Sequence, residues 1–317
     1  MCHNSWGGGL QENMFLQFSE NLPCVTLDHY KMKVFFDQTQ DRKKRMEEFY
    51  SRLEEGLRHN LYERFRIART YAQGLSIMLN QCKTKNNPFI KAQVTGPATY
   101  LLFLADEGNR PLIYDDQFSE AIVYGLGMKA LWLAREIREA GKAPLIFFDE
   151  PALADLGSAY ALIDAKRAWT LVGGLLAFVK EYDPGILLGL HCCGNTDWSS
   201  VLESGVDVVS FDAVGCGEKF LLYPEEIKRF VKGGGFIAFG IVPTSEYGEW
   251  ASEKALYDRF MSLLSGFEEQ GIGRIEILDH AIFTPACGMG PLKPQEAMRV
   301  LDLVNALSGW ISNESRS

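Results

Sequence analysis

Gly185-Ile186-Leu187-Leu188-Gly189-Leu190-His191-Cys192-Cys193-Gly194-Asn195 is an apolar run that ends in an imidazole and two thiols just before a glycine. Such a run reads as a strand buried on both faces, the kind that builds parallel sheets. Side chains alternate along a strand, so His191 and Cys193 share a face and Cys192 turns away. One histidine and one cysteine converging at a strand end make half of a tetrahedral zinc site. Candidates for the other half lie downstream: Cys287 in Thr284-Pro285-Ala286-Cys287-Gly288, and Asp212 at the end of Asp207-Val208-Val209-Ser210-Phe211-Asp212. The competing reading is a buried thiol that packs as a small hydrophobe. It suits Cys24, Cys82, Cys192 and Cys216, which have no partner in the pattern, while the second cysteine loop favours a metal at His191 and Cys193.

Outward from this strand, the chain from about residue 86 alternates short apolar runs with longer amphipathic ones, the rhythm of β-α units around a parallel sheet. Strands are predicted at Phe89 to Val94, Pro144 to Asp149, Ile186 to His191, Val206 to Phe211, Phe236 to Val242 and Arg274 to Leu278. Asp115 and Asp116 can cap a helix with Phe118, Ile122 and Leu126 on one face, running to about Ala140, where Gly141 stops it. Further helices are predicted at about Asp164 to Lys180, Tyr223 to Lys232, Glu253 to Glu269 and Pro294 to Leu307. Residues 1–85 are atypical: Cys24 to Asp28 and Met32 to Phe36 suggest a hairpin, and Asp41 to Cys82 reads as charged helices broken near Leu61. The expected architecture is α/β, a (β/α)8 TIM-type barrel occupying 1–317 as a single domain. It is expected to be incomplete at its N-terminus, with a first strand missing or cryptic.

Composition agrees with a globular protein: 47% of the 317 residues are hydrophobic and 23% charged. The formal charge of -9 argues against nucleic acid as a partner, because phosphate neutralisation needs clustered cations. The basic run Arg42-Lys43-Lys44-Arg45 is followed at once by Glu47 and Glu48 and reads as a solvated helix face. No stretch approaches the roughly 18 apolar residues of a membrane span. Met1 to Gly9 lacks a basic cluster leading into an apolar core, so the cytoplasm is the expected compartment.

In a parallel barrel the active site is built at the carboxyl ends of the strands. His191, Asp149, Asp212 and the Thr95-Gly96-Pro97 turn all fall there, and Cys287 follows the last strand. Asp149 and Glu150 follow the apolar run Leu145-Ile146-Phe147-Phe148, where a carboxylate can meet a substrate ammonium or cap a local turn. His280, near the last strand, reads as a histidine satisfied by its surroundings.

These residues resemble the superfamily of uroporphyrinogen decarboxylase and cobalamin-independent methionine synthase, and within it the short zinc methyltransferases. The likeness covers roughly residue 93 to the end. It rests on His191-Cys192-Cys193-Gly194-Asn195-Thr196, Gly205-Val206-Asp207, the strand ending in Asp212, and the Cys287 loop. Phe148-Asp149-Glu150-Pro151-Ala152-Leu153 and Val94-Thr95-Gly96-Pro97-Ala98-Thr99 add to it.

The resemblance implies zinc held by His191, Cys193 and Cys287, with the fourth position left for a substrate sulfur. It implies Asp212 as the acidic residue of the reaction, although the methionine synthases carry glutamate there. Asp149, with Glu150, Thr95 and Gly96, would hold the substrate, Asp149 receiving the amino group of homocysteine. The implied reaction moves a methyl group to a small thiol, and for a chain of this length a methylated corrinoid on a partner protein is the implied donor. Two alternatives stand beside it: a decarboxylase acting on a porphyrinogen, and a truncated zinc-binding barrel without catalysis.

Overall fold

The computed structural model describes residues 13–28, 33–37, 39, 41–106, 108, 110–156, 163–244 and 252–314. The chain divides into two compact units, Gly9–Gly189 and Leu190–Ser317. The first opens with a short helix α1 (Leu16–Ser19) and an antiparallel hairpin of β1 (Val25–Asp28) and β2 (Lys33–Phe36). This is the expected hairpin, with Met32 outside the described residues. Helix α2 (Arg42–His59) ends where Asn60 adopts a left-handed backbone, and two turns of 3-10 helix separate it from α3 (Gln73–Cys82). The helical stretch therefore breaks near Leu61, as expected.

Strand β3 (Phe89–Thr95) leads through Gly96 into α4 (Pro97–Phe103), a helix not foreseen in the sequence. Pro97 sits at its first turn, where a missing amide proton costs least. Helix α5 (Asp116–Glu139) is capped by Asp115, whose side chain accepts from the Phe118 amide at 3.0 Å. Phe118, Ile122 and Leu126 are fully buried along it, and Gly141, at φ +76°, takes the chain out of the helix. Strand β4 (Ala143–Asp149) runs parallel to β3 and places Asp149 opposite Thr95. Helix α6 (Ala165–Tyr182) follows, and β5 (Leu187–Cys192) begins in this unit and ends in the next.

The second unit continues through α7 (Trp198–Leu202), β6 (Val208–Asp212), α8 (Ala213–Phe220), α9 (Pro224–Lys232) and β7 (Phe236–Val242). It closes with α10 (Glu253–Glu269), α11 (Arg274–Asp279), β8 (Ala281–Pro285) and α12 (Pro294–Glu314). Strands β6, β7 and β8 pair parallel, in a register that sets Asp212 beside Gly240 and Gly240 beside Thr284. Alternation then puts Ser210, Asp212, Ala238, Gly240, Ile282 and Thr284 on one face. Phe211, Phe239 and Phe283 fall on the other.

That second face carries the aromatic core of the unit. Phe211 stacks on Phe220 at 4.4 Å between ring centroids and meets Trp198 edge-on at 5.5 Å. Phe260 lies 5.4 Å from Phe239 and 4.8 Å from Phe283. Phe211, Phe220, Phe239 and Phe260 are fully buried, and each such ring contributes on the order of 1.5–3 kcal/mol by leaving water.

Strands β3 to β8 form one sheet in sequence order. Among the described residues the protein is thus α/β with a six-stranded parallel sheet, where a closed (β/α)8 barrel has eight strands. Among the described residues, nothing before Phe89 joins that sheet, since β1 and β2 pair only with each other. Nor is any helix of these residues long and apolar enough to cross a membrane.

One predicted strand is wrong. Arg274 to Leu278 is helical, as part of α11, and the last strand is Ala281–Pro285. As a strand, Arg274 and Glu276 would share one face of the sheet, and burying them there is costly. In the helix Arg274 pairs with Glu268 at 2.9 Å, and β8 instead offers Ile282 and Phe283. Helix α12 also runs seven residues beyond the predicted Leu307, to Glu314, because Ile311 continues the buried stripe of Val300, Leu303 and Leu307.

Replacing Phe211 with alanine removes the ring shared by Trp198, Phe220 and Phe239, and the expected loss of stability is about 3–5 kcal/mol. Chemical denaturation measures it; a loss under about 1 kcal/mol would mean this cluster is not the core of its unit.

Candidate metal centre

The metal-binding pattern closes within the unit Leu190–Ser317. Ligand atoms of His191, Cys193 and Cys287 all lie within 4.8 Å of one another. His191 is the penultimate residue of β5 and Cys193 follows the strand's end, so both project to the same side. Cys192 turns the other way as expected: it is 1% exposed, and its thiol points to the Gly194 carbonyl at 3.5 Å.

Cys287 arrives from the opposite end of the unit, on the loop after β8. The Ala286 amide donates to the Val242 carbonyl at 2.8 Å, tying that loop to the end of β7. Gly240 makes the close approach possible. A side chain there would put a Cβ 2.7 Å from the Ala286 Cα and 2.6 Å from the Phe211 carbonyl oxygen, and both are backbone atoms with no room to yield.

The histidine ring is oriented by a residue absent from the sequence reading. Ser210, 7% exposed in the middle of β6, meets His191 Nδ1 at 3.0 Å. Nε2 is then the nitrogen left for a ligand, the usual arrangement in which a second partner fixes a metal-binding histidine. The signal for it was a lone polar side chain in Val208-Val209-Ser210-Phe211, two residues before Asp212 and hence on the same face.

Hydrogen bonding with the Cys193 thiol, and next with the His191 ring, pulls the Cys287 thiol down to about 4, against the desolvation of its sulfur. A sulfur so placed is ready to bind a cation as thiolate. One imidazole and two thiols fit zinc, and three protein donors leave one tetrahedral position open.

Asp212 stands beside this group but outside it. Its Oδ1 accepts from the amides of Val214 at 2.9 Å and Gly215 at 3.0 Å, capping α8. Burial raises its pKa, and the charge of Cys287 adds to the rise, while the two amide hydrogen bonds oppose it. His280 is satisfied locally: Nδ1 lies 2.9 Å from the Glu276 carbonyl, and the ring packs 5.4 Å from Phe236.

The remaining candidates, Thr95, Gly96, Asp149 and Glu150, lie in the unit Gly9–Gly189, where β3 and β4 end side by side. Glu150 is fully buried. It accepts from the Ala98 amide at 2.9 Å, the Thr99 amide at 2.7 Å and the Thr99 hydroxyl at 2.6 Å. Gly96 is bare because a Cβ there would fall 2.2 Å from the Glu150 carboxyl carbon. The Thr95 hydroxyl donates to the Met14 carbonyl at 2.6 Å. These three residues brace the turn, and Asp149 is the half-buried carboxylate at the strand end. Burial pushes Glu150 up to about 7, outweighing the three hydrogen bonds that favour its anion, and the Asp149 charge adds to the rise.

No family model matches the chain, and no curated protein does so. A solved structure does: a Listeria monocytogenes protein provisionally named a vitamin-B12-independent methionine synthase. The match has a TM-score of 0.52 at 15% sequence identity and covers 94% of this chain and 77% of that one. The likeness is one of fold.

Two outcomes follow from this geometry. Ser210→Ala frees the His191 ring and should weaken any binding of added zinc about 10- to 100-fold, read by competition with a chromophoric chelator; unchanged affinity would remove Ser210 from the centre. Glu150 has a folded value above its ordinary 4.5. The stability tied to its proton is therefore full below the ordinary value and lost as pH rises through about 7. In urea titrations from about pH 5 to 8 the native chain should lose stability relative to Glu150→Gln, and a pH-independent difference would contradict the assignment.

Proposed function

We propose that the chain is a zinc-dependent methyltransferase, acting in the cytoplasm, that moves a methyl group from a methylcorrinoid donor to a small thiol, in first place homocysteine. The observation that carries this reading is the convergence of His191, Cys193 and Cys287 from the two ends of one unit. The fold likeness to a protein named as a methionine synthase is consistent with it, and the reading takes the six-stranded sheet as a variant of the (β/α)8 barrel.

Bound by these three residues, zinc would supply one thing: it would hold the acceptor sulfur as a thiolate at neutral pH, where a free thiol with a pKa near roughly 8.5 is mostly protonated. The chain's own residues do the rest. Ser210 fixes the His191 ring, and Gly240 lets the Cys287 loop close, so the three donors are held before substrate arrives. Asp212 is assigned as the acidic residue of the reaction, and since Oδ1 stays with α8, its part falls to Oδ2. The chain's residues would hold the acceptor sulfur in line with the donor's methyl carbon, so that methyl could pass to sulfur while the electron pair of the broken bond stayed with the donor. Positioning supplies much of the rate. The choice of an amino-acid thiol rests on the family resemblance, which assigns Asp149 to the substrate's ammonium group.

The test uses the purified chain with zinc measured by elemental analysis and methylcobalamin as donor, against homocysteine and coenzyme M. One zinc per chain and methyl transfer to homocysteine are expected, with both lost together in Cys193→Ala and Cys287→Ala. Full zinc occupancy in either variant would overturn the ligand assignment; zinc without transfer to either thiol would overturn the activity.

A further inference from the structure

The basic run that opens α2 has a second part to play. Arg45, Glu48 and Arg52 follow one another at three- and four-residue spacing and so share a face of that helix. Two cavities of about 230 and about 580 Å³ open on that face, and all three residues line both. The smaller is closed on its far side by the loop Asn21 to Val25. Asn21 and Cys24 hold that loop in left-handed backbone, at φ 64° and 54°.

The two arginines differ in their partners. Arg45 pairs with Glu48 at 3.3 Å. The Arg52 Nε is buried and has no hydrogen-bond partner, and among the described residues Arg52 has no ion pair. A guanidinium N–H withdrawn from water without an acceptor is costly, and folded proteins keep few of them. Of the charged groups that reach Arg52, Glu48 attracts it while Arg45 and Arg64 repel it. Glu48 is already shared with Arg45, and Arg64 is held by Glu55. The ammonium of Lys129, fully buried in α5, also feels the Arg52 charge, and its own bonds go to the carbonyls of Glu20 at 2.7 Å and Phe65 at 3.4 Å. A chain with a net charge of -9 has carboxylates to spare, yet among the described residues no unshared one pairs with Arg52.

We propose that this cavity binds a small oxyanion, a phosphate or carboxylate group, with the Arg52 guanidinium as its principal donor and Arg45 as the second. A guanidinium presents parallel N–H donors to such a group. The smaller cavity accepts the anionic group, and the larger one has room for the remainder of a phosphate ester or a polycarboxylate. Glu48 stays with Arg45 and limits the charge of the ligand the site tolerates. The site belongs wholly to the unit Gly9–Gly189 and is independent of the proposed methyl transfer.

Inorganic phosphate, citrate and potassium chloride, at matched ionic strength, are to be titrated against the full chain by calorimetry and thermal unfolding. Phosphate or citrate should bind with a dissociation constant on the order of 1 mM or tighter and raise the melting temperature, while chloride does neither. Binding by citrate alone identifies a carboxylate ligand, and binding by phosphate alone identifies a phosphate. Arg52→Gln should abolish the response. Arg52→Lys, which keeps the charge and loses the fork, should weaken binding about tenfold or more and guards against an unfolded glutamine variant. No response to either oxyanion, a response equalled by chloride, or full binding by Arg52→Lys would overturn the proposal.

Discussion

Strands of a parallel sheet covered on both faces have no place for polar side chains except at their ends. That constraint organises this chain. It moves histidine, cysteine and aspartate to the carboxyl termini of β4, β5 and β6, and it leaves the strand interiors to Ile146, Phe148, Leu188 and Val209, all of them fully buried. Within β4, β5 and β6 the exception is Ser210, whose hydroxyl meets the His191 ring, while β3 at the edge of the sheet carries exposed Lys91 and Gln93.

The same constraint explains where glycine is needed. Gly240 and Gly96 lie at strand ends where another segment presses on the backbone: Ala286 in one unit, the Glu150 side chain in the other. Neither position has positive φ, so the requirement is space and not backbone freedom. A bare strand end is what lets a loop carry its functional residue within reach.

Much of this arrangement could be read in the sequence. Alternation separated Cys192 from its neighbours, because the strand containing it has one period and little ambiguity. The run Phe236 to Val242 was equally plain, being continuously apolar. Arg274 to Leu278 was not, since a five-residue run with apolar residues at alternate positions satisfies a strand and one turn of helix alike. What decided it was the neighbouring strand β7, whose side chains Phe239 and Ile237 accept the apolar Ala281 to Phe283 and not a charged face. The hydroxyl on His191 and the bracing role of Glu150 depend on which strand ends are neighbours, and short-range pattern carries no information on that. Arg52 was hidden for the opposite reason, because a basic helix face looks solvated until the loop over it is seen.

The three candidate ligands are also far apart along the chain. His191 and Cys193 leave the first strand of their unit, Cys287 leaves its last, and the intervening loop is about ninety residues long. An ion gripped by all three would cross-link the unit end to end, withdrawing freedom from the unfolded chain much as a disulfide does. It would then be a buckle as well as a reagent. Occupancy and folding of that half of the protein would rise and fall together, and demetallation would loosen the fold as well as silence the site.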